Sequence, residues 1–245
     1  MEKAYKLLAK QENISNSAAK ELIDRGLVST KGRKILIARG EIADDTIFKI
    51  NEIPKTKILF QDENILAVDK PPFVTSEEVA LGLKDAILLN RLDKETSGVM
   101  LFAKNEEFQK KAIEEFKQNR VYKEYVAVVN GKFIDDTVID SPISTQKGKT
   151  AKSKIDKKNG KAAVTKVFPI AIEGNKSKVK IIIENGRTHQ IRVHLASIGF
   201  PIIGDLLYGQ ASTKVDRIML HSLKTEIFGY SFTSVAPKQF SAFGL

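Results

Sequence analysis

The amino-acid sequence predicts an α+β protein in two parts, a main domain over residues 58–245 and a small α/β module over residues 1–52. Three observations carry that prediction. The chain has 245 residues, 42% of them hydrophobic, which suffices for one full domain with its own core and a smaller unit besides. The stretch Asn51-Glu52-Ile53-Pro54-Lys55-Thr56-Lys57 has the polarity and the proline of a linker. On both sides of it, short apolar runs bounded by turn residues are mixed with helical periodicity.

In the module, Ala4, Leu7 and Leu8 fit one face of a helix. Ser15 or Ser17 caps a second helix that carries Ala18, Ala19, Leu22 and Ile23 and stops at Gly26. Leu27-Val28 reads as a short strand turning at Lys31-Gly32, and Ile47–Ile50 as a closing strand. Lys20, Arg25, Lys31, Arg33, Lys34 and Arg39 are interspersed. They suit either a solvated helical hairpin or a phosphate-binding surface.

In the main domain, Ile58-Leu59-Phe60 and Ile65–Val68 flank Gln61–Asn64 and read as a hairpin. It ends at Lys70-Pro71-Pro72, because proline has no N–H to pair. Asn90-Arg91-Leu92-Asp93-Lys94-Glu95-Thr96-Ser97-Gly98 is a charged loop feeding the apolar run Val99–Ala103. Asp93 therefore stands at the mouth of a buried strand, just before a turn-forming group. An acid in that setting is a structural ion pair or a catalytic group. Asn105 caps a helix with Glu106 and Glu107 in its first turn and a buried stripe of Phe108, Ala112, Ile113 and Phe116. Val121–Val129 is a strand turning at Asn130-Gly131. From Lys147 to Lys161 there are seven lysines and one acid, Asp156. That segment is a mobile solvated hairpin or a basic arm gripping phosphates. Lys178–Ile183 is a strand. Thr188 caps the helix that follows, Ile191, Leu195 and Ile198 face the core, and Gly199 ends it. Arg192 lies off that apolar face.

The totals narrow the chemistry. Lys and Arg number 40 against 30 Asp and Glu, a formal net charge of +10, which favours a polyanionic partner: nucleic acid first, an acidic membrane surface second. The absence of cysteine excludes disulfides, thiol nucleophiles and thiolate zinc sites. Of the three histidines, His189 and His194 miss the His-x-x-x-His spacing of helical zinc ligands, so no metal and no cofactor are expected. No apolar segment approaches the ~20 residues that span a bilayer. The N-terminus leads into an amphipathic pattern rather than a signal-peptide core. A cytoplasmic protein without a membrane partner is expected, and a monomer is the simplest assembly.

Arg91-Leu92-Asp93-Lys94-Glu95-Thr96-Ser97-Gly98 resembles the Arg-Leu-Asp-x-x-Thr-Ser-Gly signature of RluA-type pseudouridine synthases. Further motifs of that family are resembled in its own order: the strand running into Lys70-Pro71, Lys123-Glu124-Tyr125 before an apolar run, and Gly186-Arg187-Thr188-His189-Gln190-Ile191-Arg192 with Pro201–Gly209. Arg217–Leu223 resembles its late strand, and the resemblance covers about residues 58–235. The chain departs from the family at Pro72–Ser76, in a short segment between Lys70 and Arg91, at Asn185 in place of the usual threonine, and at Asn90, where the family often has histidine. Asn90 suits a supporting hydrogen bond. The module is similar to an S4-type RNA-binding domain, on Ser17-Ala18-Ala19-Lys20, Leu22-Ile23, Arg25-Gly26-Leu27-Val28, Gly32 and Asp45.

The resemblance implies a mixed, mostly antiparallel sheet flanked by helices. It implies an enzyme that cleaves the uridine N1–C1′ bond, turns the uracil and rejoins it through C5. It assigns Asp93 as the essential carboxylate, which attacks the sugar or base or removes a proton, and Arg192 as its partner, since a guanidinium opposes the neutralising effect of burial on a carboxyl. Tyr125 is assigned to the base, stacking on uracil and assisting loss of the C5 proton. Arg91 and Arg187 bind substrate, with Arg91 contacting the flipped nucleotide's phosphate or filling its gap. Lys20, Arg25 and Arg33 of the module contact RNA. Ribosomal RNA of the large subunit is the first expected target and transfer RNA the second. A catalytically inactive RNA-binding or ribosome-assembly protein on the same scaffold is the alternative. A carboxylate-pair glycosidase lacks a second acid in a comparable setting.

Overall fold

The computed structural model describes residues 1–31, 33–52, 55–146, 151–209, 215, 217–241 and 244. Gly32 of the S4-like pattern, Ile53 and Pro54 of the linker, and positions 147–150 of the lysine-rich segment lie outside the described residues. The chain divides into two compact units, Met1–Pro54 and Lys55–Leu245.

The first unit runs β1 (Glu2–Lys3), α1 (Ala4–Glu12), α2 (Asn16–Asp24), β2 (Val28–Thr30), β3 (Arg33–Lys34), β4 (Glu41–Ile42) and β5 (Lys49–Ile50). Ser15, not Ser17, caps α2: its hydroxyl accepts the Ala18 N–H at 3.1 Å. Gly26 leaves the helix at φ +71°, a backbone that costs glycine nothing. Leu8, Ala19, Ile23, Val28 and Phe48 close a small core between the helices and the sheet β3-β2-β5.

The second unit runs β6 (Lys57–Gln61), β7 (Ile65–Lys70), α3 (Ser76–Leu81), β8 (Ile87–Leu88), β9 (Ser97–Ala103), α4 (Glu106–Lys117), β10 (Tyr122–Asn130), β11 (Thr137–Asp140), β12 (Ile143–Gln146), β13 (Lys152–Ile155), β14 (Val164–Glu173), β15 (Lys176–Ile183), α5 (Gln190–Ser197), β16 (Leu220–Ile227) and β17 (Tyr230–Thr233), with a short 3-10 turn at Lys238–Ser241. Ten strands form one mixed sheet in the order β11-β14-β15-β10-β16-β9-β7-β6, with β17 and β8 attached to β16 and β9. Among the described strands every pairing is antiparallel except β9 with β16, which run parallel through His221 opposite Ser97 and Ser222 opposite Gly98. β9 is buried along its whole length, with both of its faces covered. One core cluster includes Leu92, Met100, Phe102, Tyr125, Val126, Ile191 and Leu195, and so takes in the flanks of the charged loop. The other packs α4 on β7 and β9.

Four expectations are corrected. Ile113 is exposed, since the α4 stripe is narrower than its apolar residues suggest. Thr188 does not cap α5. His189 occupies that position at φ +54° and makes no side-chain cap. Ile198 is exposed at the helix end, while α5 is buried from Gln190 to Leu195, polar residues included. The lysine-rich segment is no free solvated hairpin where it is described: β12 pairs β13, and Ser153 between Lys152 and Lys154 is buried.

Candidate active site

The loop before β9 is held from three sides. Ser76, the first residue of α3, donates its hydroxyl to the Leu92 carbonyl at 3.1 Å and accepts the Leu92 N–H at 3.0 Å. Lys70, fully buried where β7 ends, donates Nζ to the carbonyls of Pro71, Val74 and Lys94 at 2.9, 2.6 and 3.2 Å. The Phe73 N–H also reaches the Lys94 carbonyl at 2.7 Å. Leu92 and Lys94 flank Asp93, so its backbone is clamped on either side. The turn closes with Thr96 N–H to the Asp93 carbonyl at 3.0 Å. Asn90 accepts the Leu101 N–H on Oδ1 at 2.8 Å and anchors the loop's start to the strand it feeds. At the loop's end a Cβ on Gly98, at φ +114°, would overlap the Ser222 carbonyl oxygen, so only glycine lets β9 approach β16 there.

The Asp93 side chain meets α5. Arg192 Nη1 lies 3.3 Å from Asp93 Oδ2 and 4.0 Å from a Glu95 oxygen. The same guanidinium uses Nε and Nη2, each at 2.8 Å, in a forked contact with buried Asp205. Burial alone would lower the Arg192 pKa, but the hydrogen bonds and charge of Asp205, then Asp93 and Glu95, more than reverse it. Burial likewise pushes the Asp205 carboxyl up, and Arg192 with the Leu207 and Tyr208 N–H groups brings it below the usual range. Arg192 is therefore a fixed cation that offers its remaining N–H edge to Asp93.

Tyr125 comes from β10, opposite Ser222, where the register slips by a bulge between Glu124 and Tyr125. Burial pushes its phenol up to about 12, and the charge of Asp93 adds to that shift. It is protonated at neutral pH. To accept a proton it would first have to lose its own.

His189 also faces the Asp93 carboxylate, with Nε2 3.9 Å from Oδ2. Its Nδ1 is 2.9 Å from the Tyr208 hydroxyl, which also receives the Ser153 N–H at 2.7 Å. The Ser153 hydroxyl donates to the Thr188 carbonyl at 2.7 Å. The β12–β13 hairpin is thereby tied to the start of α5.

The expected site residues thus fall into groups. Asp93 and Arg192 are in contact, and Tyr125 is close enough for Asp93 to influence it electrostatically. Arg91 points outward and pairs with Glu77 at 3.3 Å. Arg187 donates Nε to the Ala162 carbonyl at 3.0 Å. In the first unit, Lys20 lies over the Tyr5 ring at 4.3 Å, Arg25 pairs with Glu21 at 3.3 Å, and Arg33 is exposed on β3. Lys70, Ser76, His189, Asp205 and Tyr208 were not foreseen in these roles. Thr75-x-x-Glu78 was a readable capping box announcing α3 and Ser76. No local pattern announces the contacts of Lys70, Asp205 or Tyr208. Among the described residues no group of His, Cys, Asp and Glu could hold a metal, and no helix is long and apolar enough to cross a membrane.

Residues 64–197 match the family model described as RNA pseudouridylate synthase. A Helicobacter pylori (strain J99) protein described as an uncharacterized RNA pseudouridine synthase is 50% identical over 241 residues, covering 98% of this chain and 99% of its own. The Borreliella burgdorferi protein named ribosomal large subunit pseudouridine synthase D is 32% identical over 217 residues, 76% of this chain and 67% of the relative. Among solved structures, human RNA pseudouridylate synthase domain containing 1 superposes with a TM-score of 0.66 at 26% identity, covering 75% of this chain and 83% of that one.

Proposed function

We propose that this chain, which belongs to the RNA pseudouridylate synthase family and is an RNA-modifying isomerase, converts uridine to pseudouridine in large-subunit ribosomal RNA through Asp93. The observation that carries the assignment of Asp93 is its placement: a carboxylate clamped through both neighbouring residues, with Arg192 Nη1 at 3.3 Å.

In this reading the target uridine leaves its stack and enters beside Asp93. The carboxylate acts at the sugar or removes a proton, the N1–C1′ bond breaks with its electrons on the uracil, and the base turns. C5 then bonds to C1′, the C5 proton is lost and N1 gains one, so the atoms balance without an external donor. Arg192, fixed by Asp205, orients Asp93 through its Nη1. Tyr125 packs against the uracil face while it turns. Arg91, exposed at the loop, handles the displaced nucleotide, and Arg187 contacts the strand. The name of the Borreliella relative supports large-subunit ribosomal RNA over transfer RNA. The first unit acts as an S4-like RNA anchor, its two helices and small sheet carrying Lys20, Arg25 and Arg33. The enzyme works as a monomer in the cytoplasm.

The test is a map of pseudouridines across ribosomal and transfer RNA in cells with the wild type, with the gene deleted, and with Asp93→Ala. One site or a few lost in both mutants give the target and the essential residue together. Retention of every site in the Asp93→Ala cells would overturn the role of Asp93. Retention in the deletion cells as well favours the non-catalytic alternative.

A further inference from the structure

His189 has a geometry that ion pairing and packing leave unexplained. It holds a left-handed backbone, φ +54°, which non-glycine residues avoid and which the surroundings must enforce. It caps α5 with no side-chain bond. Its ring is instead directed between Tyr208 and Asp93, and both it and Asp93 stay open to a ligand, their side chains 12% and 22% exposed.

The neighbours define which ring nitrogen carries the proton. Burial holds the imidazole below its ordinary pKa, with Asp93 opposing and Arg192 adding to that effect, so the neutral ring has one N–H and one lone pair. The Tyr208 oxygen already accepts the Ser153 N–H, and its own O–H is free to donate to His189 Nδ1. That leaves Nε2 as the N–H, directed toward the Asp93 carboxylate. The opposite tautomer would set a nitrogen lone pair against carboxylate lone pairs.

At 3.9 Å, Nε2 and Oδ2 are too far apart to bond each other. An oxygen about 2.8 Å from each would bridge them. That oxygen must accept from His189 and donate to Asp93, which a hydroxyl does and a phosphate, ether or carbonyl oxygen does not. An internal uridine in an RNA chain has a single free hydroxyl, at the ribose 2′ position, next to the carbon at which the glycosidic bond breaks.

We propose that His189 is a further substrate-contacting residue, donating from Nε2 to the ribose 2′-oxygen of the target uridine while that hydroxyl donates to Asp93. Tyr208 and Ser153 are positioning residues that hold the imidazole in the required tautomer. The inference rests on Asp93 as the sugar-facing carboxylate. It makes the site a reader of ribose at the target nucleotide, a discrimination that only the 2′-hydroxyl permits. Because Ser153 sits on β13 between Lys152 and Lys154, the tautomer also depends on how that hairpin is seated.

The experiment uses the full chain and a synthetic RNA carrying the uridine found by the cellular map, with ribose or 2′-deoxyribose at that nucleotide alone. Binding of both RNAs is measured for wild type, His189→Phe and His189→Asn; asparagine tolerates the left-handed backbone but is too short to bridge. Wild type is expected to prefer ribose by about 10-fold, in the range of one hydrogen bond to a polar partner, and both variants to lose most of that preference while binding the deoxy RNA as wild type does. Single-turnover rates on the ribose RNA fall in both variants, and Tyr208→Phe shifts the imidazole ¹⁵N resonances away from the Nε2–H tautomer. If the variants keep the full ribose preference while melting as wild type does, the inference fails. An Asp93→Ala protein with full activity sinks the underlying reading instead, so the two failures are distinct.

Discussion

Asp205→Asn tests whether Arg192 is braced as the geometry indicates. The carboxamide keeps the size of the carboxylate and an oxygen for the Leu207 and Tyr208 N–H groups, now at 2.9 and 3.2 Å. It loses the charge, and its NH2 faces a guanidinium N–H that it cannot accept. The Asp205 side chain is fully buried and that of Arg192 is 6% exposed, so water does not replace the lost partner. Breaking such a pair from one side costs about 3–5 kcal/mol. The low end, about 3 kcal/mol, applies here, because Asp93 and Glu95 remain at 3.3 and 4.0 Å from Nη1. At a urea slope of about 2 kcal/mol per molar, the unfolding midpoint of the 55–245 unit falls by about 1.5 M at pH 7, read by circular dichroism. The acid limb carries a second signature. A carboxyl held below its unfolded pKa stabilises the fold above that value and loses this contribution as pH falls through the folded pKa. The gap between wild type and Asp205→Asn should therefore close below about pH 4. A midpoint shift under about 0.3 M at pH 7, or a gap unchanged down to about pH 2.5, would falsify the bracing argument.

Lys70→Met removes a buried amine whose pKa burial, with the Arg217 charge adding, lowers to about 7. The unfolded chain holds that proton up to about pH 10.4, so wild type gains on the variant by up to about 1.4 kcal/mol per pH unit between pH 7 and 10, in urea midpoints; a flat difference refutes the shift. Gly98→Ala forces a Cβ onto the Ser222 carbonyl and adds left-handed strain, and is expected to cost about 3 kcal/mol or more or to leave the protein insoluble; wild-type melting would show that β9 and β16 can part cheaply. Lys152→Ala with Lys154→Ala should weaken RNA binding and reduce its salt slope by about 1–2 while bound RNA still reacts, measured by titration across salt concentrations; an unchanged slope removes the hairpin from the phosphate path.

The sequence made legible whatever depends on neighbours along the chain. Ser15 and Asn105 as caps, Gly26 as a stop, and the apolar strand at Val99–Ala103 each rest on local chemistry that a reader can see. Asp93 with Arg192 came from motif resemblance, since residues so distant in sequence share no local signal. The hydrogen bonds that hold Asp93 were hidden for a related reason. Lys70 reads as a charge before prolines, yet it is buried because three carbonyls converge on its Nζ, and convergence is a property of the fold. The α5 helix misled the periodicity argument: its polar residues Gln190, Arg192 and His194 are buried along with Ile191 and Leu195, so no apolar stripe defines its inner face. Ser153 was masked by the lysines around it.

Among the described strands the one parallel contact, Ser97–Gly98 beside His221–Ser222, has a bearing on when the Asp93 loop is completed. These partners are far apart in sequence: His221 follows Ser97 by 124 residues, so β16 is made long after β9. Contacts of such high sequence separation form slowly, since a long loop must close first. A nascent chain can build the β6–β7–β9 hairpin layer and α4 early, but the turn after Asp93 gains its final neighbour only when β16 has left the ribosome. A chain that stops before β16 therefore leaves the turn after Asp93 without its parallel partner.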